Sequence, residues 1–133
     1  MGKTNLFTVL TVTVLQVLVG YLWYSTHFFG DVMVANGHAV DYLKTDVLSL
    51  LLIVFSSYGL THIFDTLIKS SGTKDVGGGL KVGLTVGTFA IGLPMITLMN
   101  LLGFGKVVLL VVFIHMILIS ILTSLVIIKL KKI

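Results

Sequence analysis

Four polar side chains in the middle of the chain share one helical face and could act on a proton or a small cation. Tyr58, His62, Asp65 and Lys69 are spaced i, i+4, i+7 and i+11 within an apolar run, which puts them on one side of a helix. A carboxylate and an imidazole one turn apart are costly to keep within or beside lipid. The pair therefore predicts a relay, in which Asp65 titrates or coordinates a cation and His62 is its partner.

The same residues also have an interpretation without transport. Asp65 and Lys69 are four residues apart, a spacing that suits an ion pair whose two side chains reach the water among lipid headgroups. His62 would then only hydrogen bond to a neighbouring helix. The sequence leaves both interpretations open.

Two further polar residues, Gln16 and His115, lie inside other apolar runs. Together with Tyr58 they are predicted to line a transport path. Alternatively, His115 hydrogen bonds across the bundle to Gln16, Thr88 or a backbone carbonyl. His62 and His115 could also ligate a haem iron from two helices, although nothing in their spacing favours this, and we predict no metal and no cofactor.

The composition is that of a membrane protein. Of 133 residues, 56% are hydrophobic and 11% are charged, whereas a soluble domain carries about 25% charged residues. Every basic residue is Lys, every acidic residue is Asp, and Cys is absent. A thiol nucleophile, a thiolate metal site and a guanidinium clamp are thereby excluded. The lysines flank apolar runs, which favours lipid headgroups over nucleic acid as their partner, and nothing marks a soluble type of enzyme.

Four apolar runs predict four membrane-spanning helices in one domain, residues 1–133, at about 6–29, 47–68, 80–104 and 107–128. Each run has roughly 20 to 25 residues, which at about 1.5 Å per residue is enough to cross a hydrocarbon core of about 30 Å. The predicted fold class is all-α, an integral membrane four-helix bundle.

Lysine placement predicts the orientation of these helices. One side of the membrane receives Lys3, Lys69, Lys74, Lys81, Lys129, Lys131 and Lys132, and the other receives the acidic 30–46 loop, with its lone Lys44, and Lys106. By the positive-inside rule, both termini are cytoplasmic. We expect a multi-pass protein of a prokaryotic cell membrane.

Glycines mark the third apolar run as the predicted packing centre. Gly79, Gly83 and Gly87 recur at four-residue steps and form a groove that a neighbouring helix can approach closely. Gly92 and Pro94 follow within the same run and predict a kink, because proline removes a backbone hydrogen bond.

The first run closes on aromatic residues. Trp23 and Tyr24, followed by His27, have the composition of a belt at the level of the lipid headgroups.

This stretch also carries a resemblance. It reads Gly20-x-x-Trp23-Tyr24-Ser25-x-x-Phe28-x-Gly30. With three further spans behind it, the chain resembles the small prokaryotic membrane proteins grouped as domain of unknown function 1761. It departs from their pattern in having Phe29 before Gly30, a very short third loop and a plain fourth helix. The resemblance implies a four-span fold and no activity.

The leading functional prediction is a small transporter or channel-like protein for protons or a small cationic or neutral solute. It would be a homo-oligomer, because four helices leave no room for a wide pore within one chain. The alternative is a structural or accessory subunit that packs against a larger membrane complex through the glycine face. A haem- or quinone-binding membrane protein is the third possibility.

Overall fold

The regular structure of the chain is helical throughout the part that the structure, a computed structural model, describes: residues 5–40 and 46–131. The elements are α1 (Leu6–Trp23), α2 (Gly30–Ala35), α3 (Val47–Ser70), α4 (Val76–Thr85), a π-helical segment (Val86–Gly92), α5 (Leu93–Leu101) and α6 (Lys106–Lys131). We call the continuous stretch Val76–Leu101 the third helix. It and helices α1, α3 and α6 are each long and apolar enough to cross a membrane. The predicted all-α fold with four potential membrane spans is confirmed.

Three of the long helices begin at a side-chain cap. Asn5, Asp46 and Asp75 accept hydrogen bonds, at 2.9 to 3.0 Å, from amides in the first turns of α1, α3 and α4. These amides have no partner within their own helix, so each cap stabilises a helix start. The third helix consequently begins before residue 80, where the sequence had placed it.

The first span ends at Trp23, earlier than the predicted residue 29, and the short helix α2 lies in what was predicted to be a loop. A compact turn separates the two helices. The Phe29 amide donates to the Trp23 carbonyl at 3.0 Å, and the Gly30 amide donates to the Ser25 carbonyl at 2.8 Å. A Cβ atom at Gly30 would lie only 2.5 Å from the Tyr24 carbonyl oxygen, so the turn requires glycine there.

Helix α6 is the centre of the bundle. It packs against α1, α3, α4, the π-helical segment and α5. Half of its most apolar stretch is buried, compared with 17% for each of the other three potential spans. The prediction that the third helix is the packing centre is therefore wrong, because its glycine face serves one contact, the one with α6.

The glycine face brings the two backbones together. A Cβ atom at Gly83 would lie 2.6 Å from the Ile121 Cα atom, and one at Gly87 would lie 2.8 Å from the Ser120 Cβ atom. Near the end of the contact, the Ser124 hydroxyl donates to the Gly79 carbonyl at 2.8 Å. Close approach of this kind is how small residues favour helix association in lipid.

A π-helical turn occupies the place where a kink was predicted. The Leu93 amide donates to the carbonyl of Thr88, five residues earlier, whereas an α-helix would use the carbonyl four residues earlier. Pro94, which has no amide hydrogen to donate, stands at the start of α5. Gly92 lies against the Phe113 ring of α6, where an added Cβ atom would be 2.7 Å away.

The two ends of the bundle differ in charge. Helices α1 and α4 begin, and α3 and α6 end, at what we call the lysine end, where Asn5 and Thr8 lie beside Asp65 and Lys131. At the opposite end Met33 of α2 packs with Val108 and Val111 of α6. The predicted orientation also used Lys3, Asp41, Lys44 and Lys132, which lie outside the described residues.

Candidate functional site

Asp65 joins two helices at the lysine end. One of its carboxylate oxygens accepts from Lys69 of the same helix at 2.7 Å, and the other lies 2.6 Å from the Lys131 ammonium of α6. The i, i+4 pair that the sequence offered as the alternative to a relay is thus present, and a second lysine is added to it. The carboxylate is balanced by two cations.

A polar pocket of about 470 Å³ adjoins this ion-pair cluster. Its wall includes Thr8 of α1, Thr61 and Asp65 of α3, and Lys131 of α6. Thr61 is buried, and its hydroxyl donates to the Ser57 carbonyl at 2.7 Å. The pocket therefore offers oxygen atoms and ammonium groups at one end of the bundle.

Tyr58 and His62 lie in a different environment from Asp65. Tyr58 is 52% exposed on the outer surface of α3, and its ring stacks on the His62 ring with centroids 6.3 Å apart. The predicted stripe of Tyr58, His62 and Asp65 therefore divides into a stacked aromatic pair, of which Tyr58 is exposed and His62 half-buried, and an ion-pair cluster.

His115 is buried in α6 and is held by the aromatic residues that close α1. The Tyr24 hydroxyl and His115 Nδ1 are hydrogen bonded at 3.1 Å, and their rings meet edge to face at 5.1 Å. The Trp23 ring stacks on His115 at 6.1 Å, and Trp23 Nε1 donates to the Val111 carbonyl at 3.2 Å. These contacts orient the imidazole ring.

The belt that the sequence predicted for Trp23, Tyr24 and His27 stays a prediction, and the structure adds contacts within the protein for two of its members. Only His27 is exposed. Trp and Tyr each combine a large apolar body with one polar tip, and here both tips find partners on α6. Nothing in the local sequence links Trp23 and Tyr24 to His115, so this contact was missed.

A cleft lies beside His115, where α3 packs against α4 but diverges from the π-helical segment and α5. We call it the Gln16–His115 cleft. Its volume is about 430 Å³, within the range of about 300 to 1,000 Å³ found for small-molecule sites. It is lined by Gln16, Ser56, Gly59, Leu60, Ile63, Ile91, Met95, His115, Met116 and Ile119.

The cleft is apolar, with a few polar groups. None of its lining residues is charged. Gln16 Nε2 is buried and has no hydrogen-bond partner among the described residues, and a buried amide without a partner costs about 1 to 3 kcal/mol. Ile63 and Met95, which line the cleft, are 47% and 39% exposed, so the cleft opens on the side of the bundle between α3 and the third helix.

The structure thus brings together two of the predicted path residues, Gln16 and His115, and leaves the others elsewhere. The residues that line the cleft do not include His62, so the two histidines of the predicted haem pair do not share this site. Among the described residues, no group of three or more His, Asp or Glu side chains could hold a metal ion.

Comparison with protein-family models, with curated proteins and with solved structures gives no significant match to this chain. The resemblance to domain of unknown function 1761 stays a prediction.

Proposed function

We propose that the protein binds a neutral, lipophilic molecule that carries a hydrogen-bond acceptor such as a carbonyl oxygen, and that it does so in the Gln16–His115 cleft. One observation carries the proposal: the cleft is of ligand size and apolar, and a buried amide donor of its wall has no acceptor among the described residues. Rotation of the terminal Gln16 amide would present this donor to a bound molecule.

The absence of charge in the lining favours a neutral ligand. An anion would find no ammonium group in the cleft, and a cation would find no carboxylate. The sideways opening between α3 and the third helix favours entry from the bilayer. A molecule that dissolves in lipid can enter the cleft by this route, whereas a water-soluble solute cannot.

Gln16 lies deep enough in its helix to donate a hydrogen bond to a ligand's polar group that would have no donor in lipid. Gln16 is ten residues beyond Leu6, where α1 begins, and therefore about 15 Å into the span. A carbonyl oxygen without a donor is costly in hydrocarbon, so a carbonyl-bearing lipophile would gain from this amide. A benzoquinone with an alkyl tail has this chemistry, and the quinone-binding possibility is the one that the cleft supports.

The binding test uses a decyl-substituted benzoquinone as probe and compares Gln16→Leu with the wild type in lipid nanodiscs. Loss of the amide donor should raise the Kd of the probe by roughly fivefold to thirtyfold, which corresponds to about 1 to 2 kcal/mol. Asn100→Leu is the matched control, because it removes an exposed amide outside the cleft and should leave the Kd unchanged. Equal affinity of Gln16→Leu and the wild type would contradict the proposal.

Transport is the second candidate, and one feature of α1 favours it. Thr8, Val12 and Gln16 follow one another at four-residue steps; Thr8 lines the polar pocket at the lysine end, and Gln16 lines the cleft. Val12, between them, is completely buried, so a path would require this position to open. Asp65 would be the titrating or coordinating group at the entrance, and unchanged proton or solute flux in proteoliposomes with Asp65→Asn would count against transport.

We further propose that the lysine end faces the cytoplasm of a prokaryotic cell, as the positive-inside rule predicts. A cysteine introduced in the 71–74 turn should then resist a membrane-impermeant thiol reagent in intact cells and react after lysis.

The homo-oligomer stays a prediction. An accessory subunit would need a docking surface other than Gly79, Gly83 and Gly87, because α6 covers that face within the chain.

A further inference from the structure

We propose that the lysine end holds the phosphate headgroup of an anionic phospholipid. The site is a groove of about 420 Å³ between the end of α3, the turn that follows it and the end of α6. Its lining consists of Ile68, Lys69, Gly72, Thr73, Lys74, Ile128 and Lys131. It differs from the Gln16–His115 cleft in position, lining and charge.

The groove combines an apolar floor with a cationic rim. Ile68 and Ile128 are almost completely buried, with 2% and 4% of their surfaces exposed. Lys69, Lys74 and Lys131 stand around them. The turn is compact because Gly72 has a positive φ of 67°, a conformation that glycine adopts without steric cost, and it brings Lys74 back over the end of α3.

The charges of the groove are not balanced by the protein. Lys69 and Lys131 share one carboxylate, that of Asp65. Asp75 accepts a hydrogen bond from the Gly78 amide as the cap of α4, and among the described residues no carboxylate forms an ion pair with Lys74. The three lysines and Asp65 together leave an excess of two positive charges, which attracts the single negative charge of a phosphate diester.

The position of the groove favours a lipid phosphate over a phosphate from solution. Lysines beside the ends of membrane spans attract anionic headgroups, with about 1 kcal/mol for each lysine near the surface. Ile68 and Ile128 make the floor of the groove apolar, and the first part of an acyl chain would lie against it. A free phosphate would use the lysines but would gain nothing from the floor.

Native mass spectrometry of the full-length protein in detergent provides the test, with phosphatidylglycerol as probe and phosphatidylcholine for comparison. We expect phosphatidylglycerol to be retained preferentially, and Lys74→Gln to weaken its binding about fivefold. Lys81→Gln and Lys129→Gln are the matched controls: they remove the same charge from exposed positions at the same end, outside the groove. Both should bind phosphatidylglycerol as the wild type does.

Three results would overturn the proposal. Equal retention of the two lipids would show that the anionic headgroup is not recognised. Equal losses in all three lysine variants would show a diffuse basic surface in place of a site. Displacement of phosphatidylglycerol by inorganic phosphate at equimolar concentration would show an anion site without a lipid component.

Asp65→Asn gives an independent test, because freeing Lys69 and Lys131 from their carboxylate should strengthen the binding of phosphatidylglycerol.

Discussion

At the scale of single residues, the carboxylate of Asp65 links two helices at the lysine end. It connects the last turns of α3 and α6 through Lys69 and Lys131. The two ammonium groups are not equivalent: Lys69 belongs to the same helix and its side chain is 49% exposed, whereas Lys131 belongs to another helix and is 34% exposed. The pair with Lys131 is therefore the one that adds tertiary stability.

Asp65→Asn should lower the stability of the bundle by about 1 kcal/mol or less, because ion pairs with partly exposed partners contribute modestly. The measurement is the apparent Tm in detergent at low ionic strength. The effect should shrink as salt is added, since screening weakens exposed charge pairs. Asp31→Asn, the same charge change at an exposed position of α2, serves as control. A larger loss in Asp31→Asn than in Asp65→Asn would contradict this account of the ion pairs.

Residue chemistry could be predicted from the sequence only where the partners are near in the chain. The spacing of Asp65 and Lys69 indicated their pair, but Lys131 comes from the far end of the chain. Similarly, Trp23 and Tyr24 have side chains that suit headgroups as well as an interior with hydrogen-bond acceptors. Their partners on α6 are Val111 and His115, and the local sequence does not identify them.

At the scale of helices, the contact between the third helix and α6 depends on the absence of side chains at the glycine positions. Gly83 is the tightest point against backbone, with Ile121 and Ser120 within 2.6 to 3.1 Å of an added Cβ atom. Gly59 of α3 is the reverse case, since an added Cβ atom there meets nothing within 4 Å. The two glycines form a matched pair for mutation.

Gly83→Ala should destabilise the protein by about 1 to 3 kcal/mol, the usual range for overpacking, partly offset by the better helix propensity of alanine. Gly59→Ala should leave stability unchanged or raise it by up to about 1 kcal/mol. Thermal unfolding of both variants in the same detergent measures the difference. If Gly83→Ala proved as stable as Gly59→Ala, the glycine face would not be the close contact described here.

The four-residue step of glycines predicted a close helix contact, and hydropathy predicted the number of long apolar helices. The identity of the partner helix and the π-helical turn could not be predicted in this way. A glycine repeat shows that some helix approaches, not which one. The wide turn at Leu93 lies beside Pro94 and the contact of Gly92 with Phe113 of α6, and the sequence alone does not reveal that contact.

At the scale of the whole molecule, α6 contacts each of the other long helices and is the most buried of them. Space for a ligand arises beside it, where α3 diverges from the second half of the third helix. The Gln16–His115 cleft is this space, and it draws its wall from α1, α3, the third helix and α6. Gln16 and His115 were recognisable as unusual residues in apolar runs, but only the packing shows that they share a cleft.

The measurement that tests the central claim most directly is quenching of Trp23 fluorescence by the decyl-substituted benzoquinone. Trp23 is the only tryptophan of the chain and stacks on His115 in the cleft wall. Gly59→Leu should fill the cleft without a backbone clash, because Gly59 lines it and has open space at its Cβ position. Gly105→Leu, at a position equally open but outside the cleft, is the control.

The account predicts saturable quenching in the wild type and in Gly105→Leu, and loss of the saturable component in Gly59→Leu at an unchanged Tm. Saturation at the same probe concentration in Gly59→Leu as in the wild type would contradict binding in the cleft, as would quenching of the wild type that never saturates.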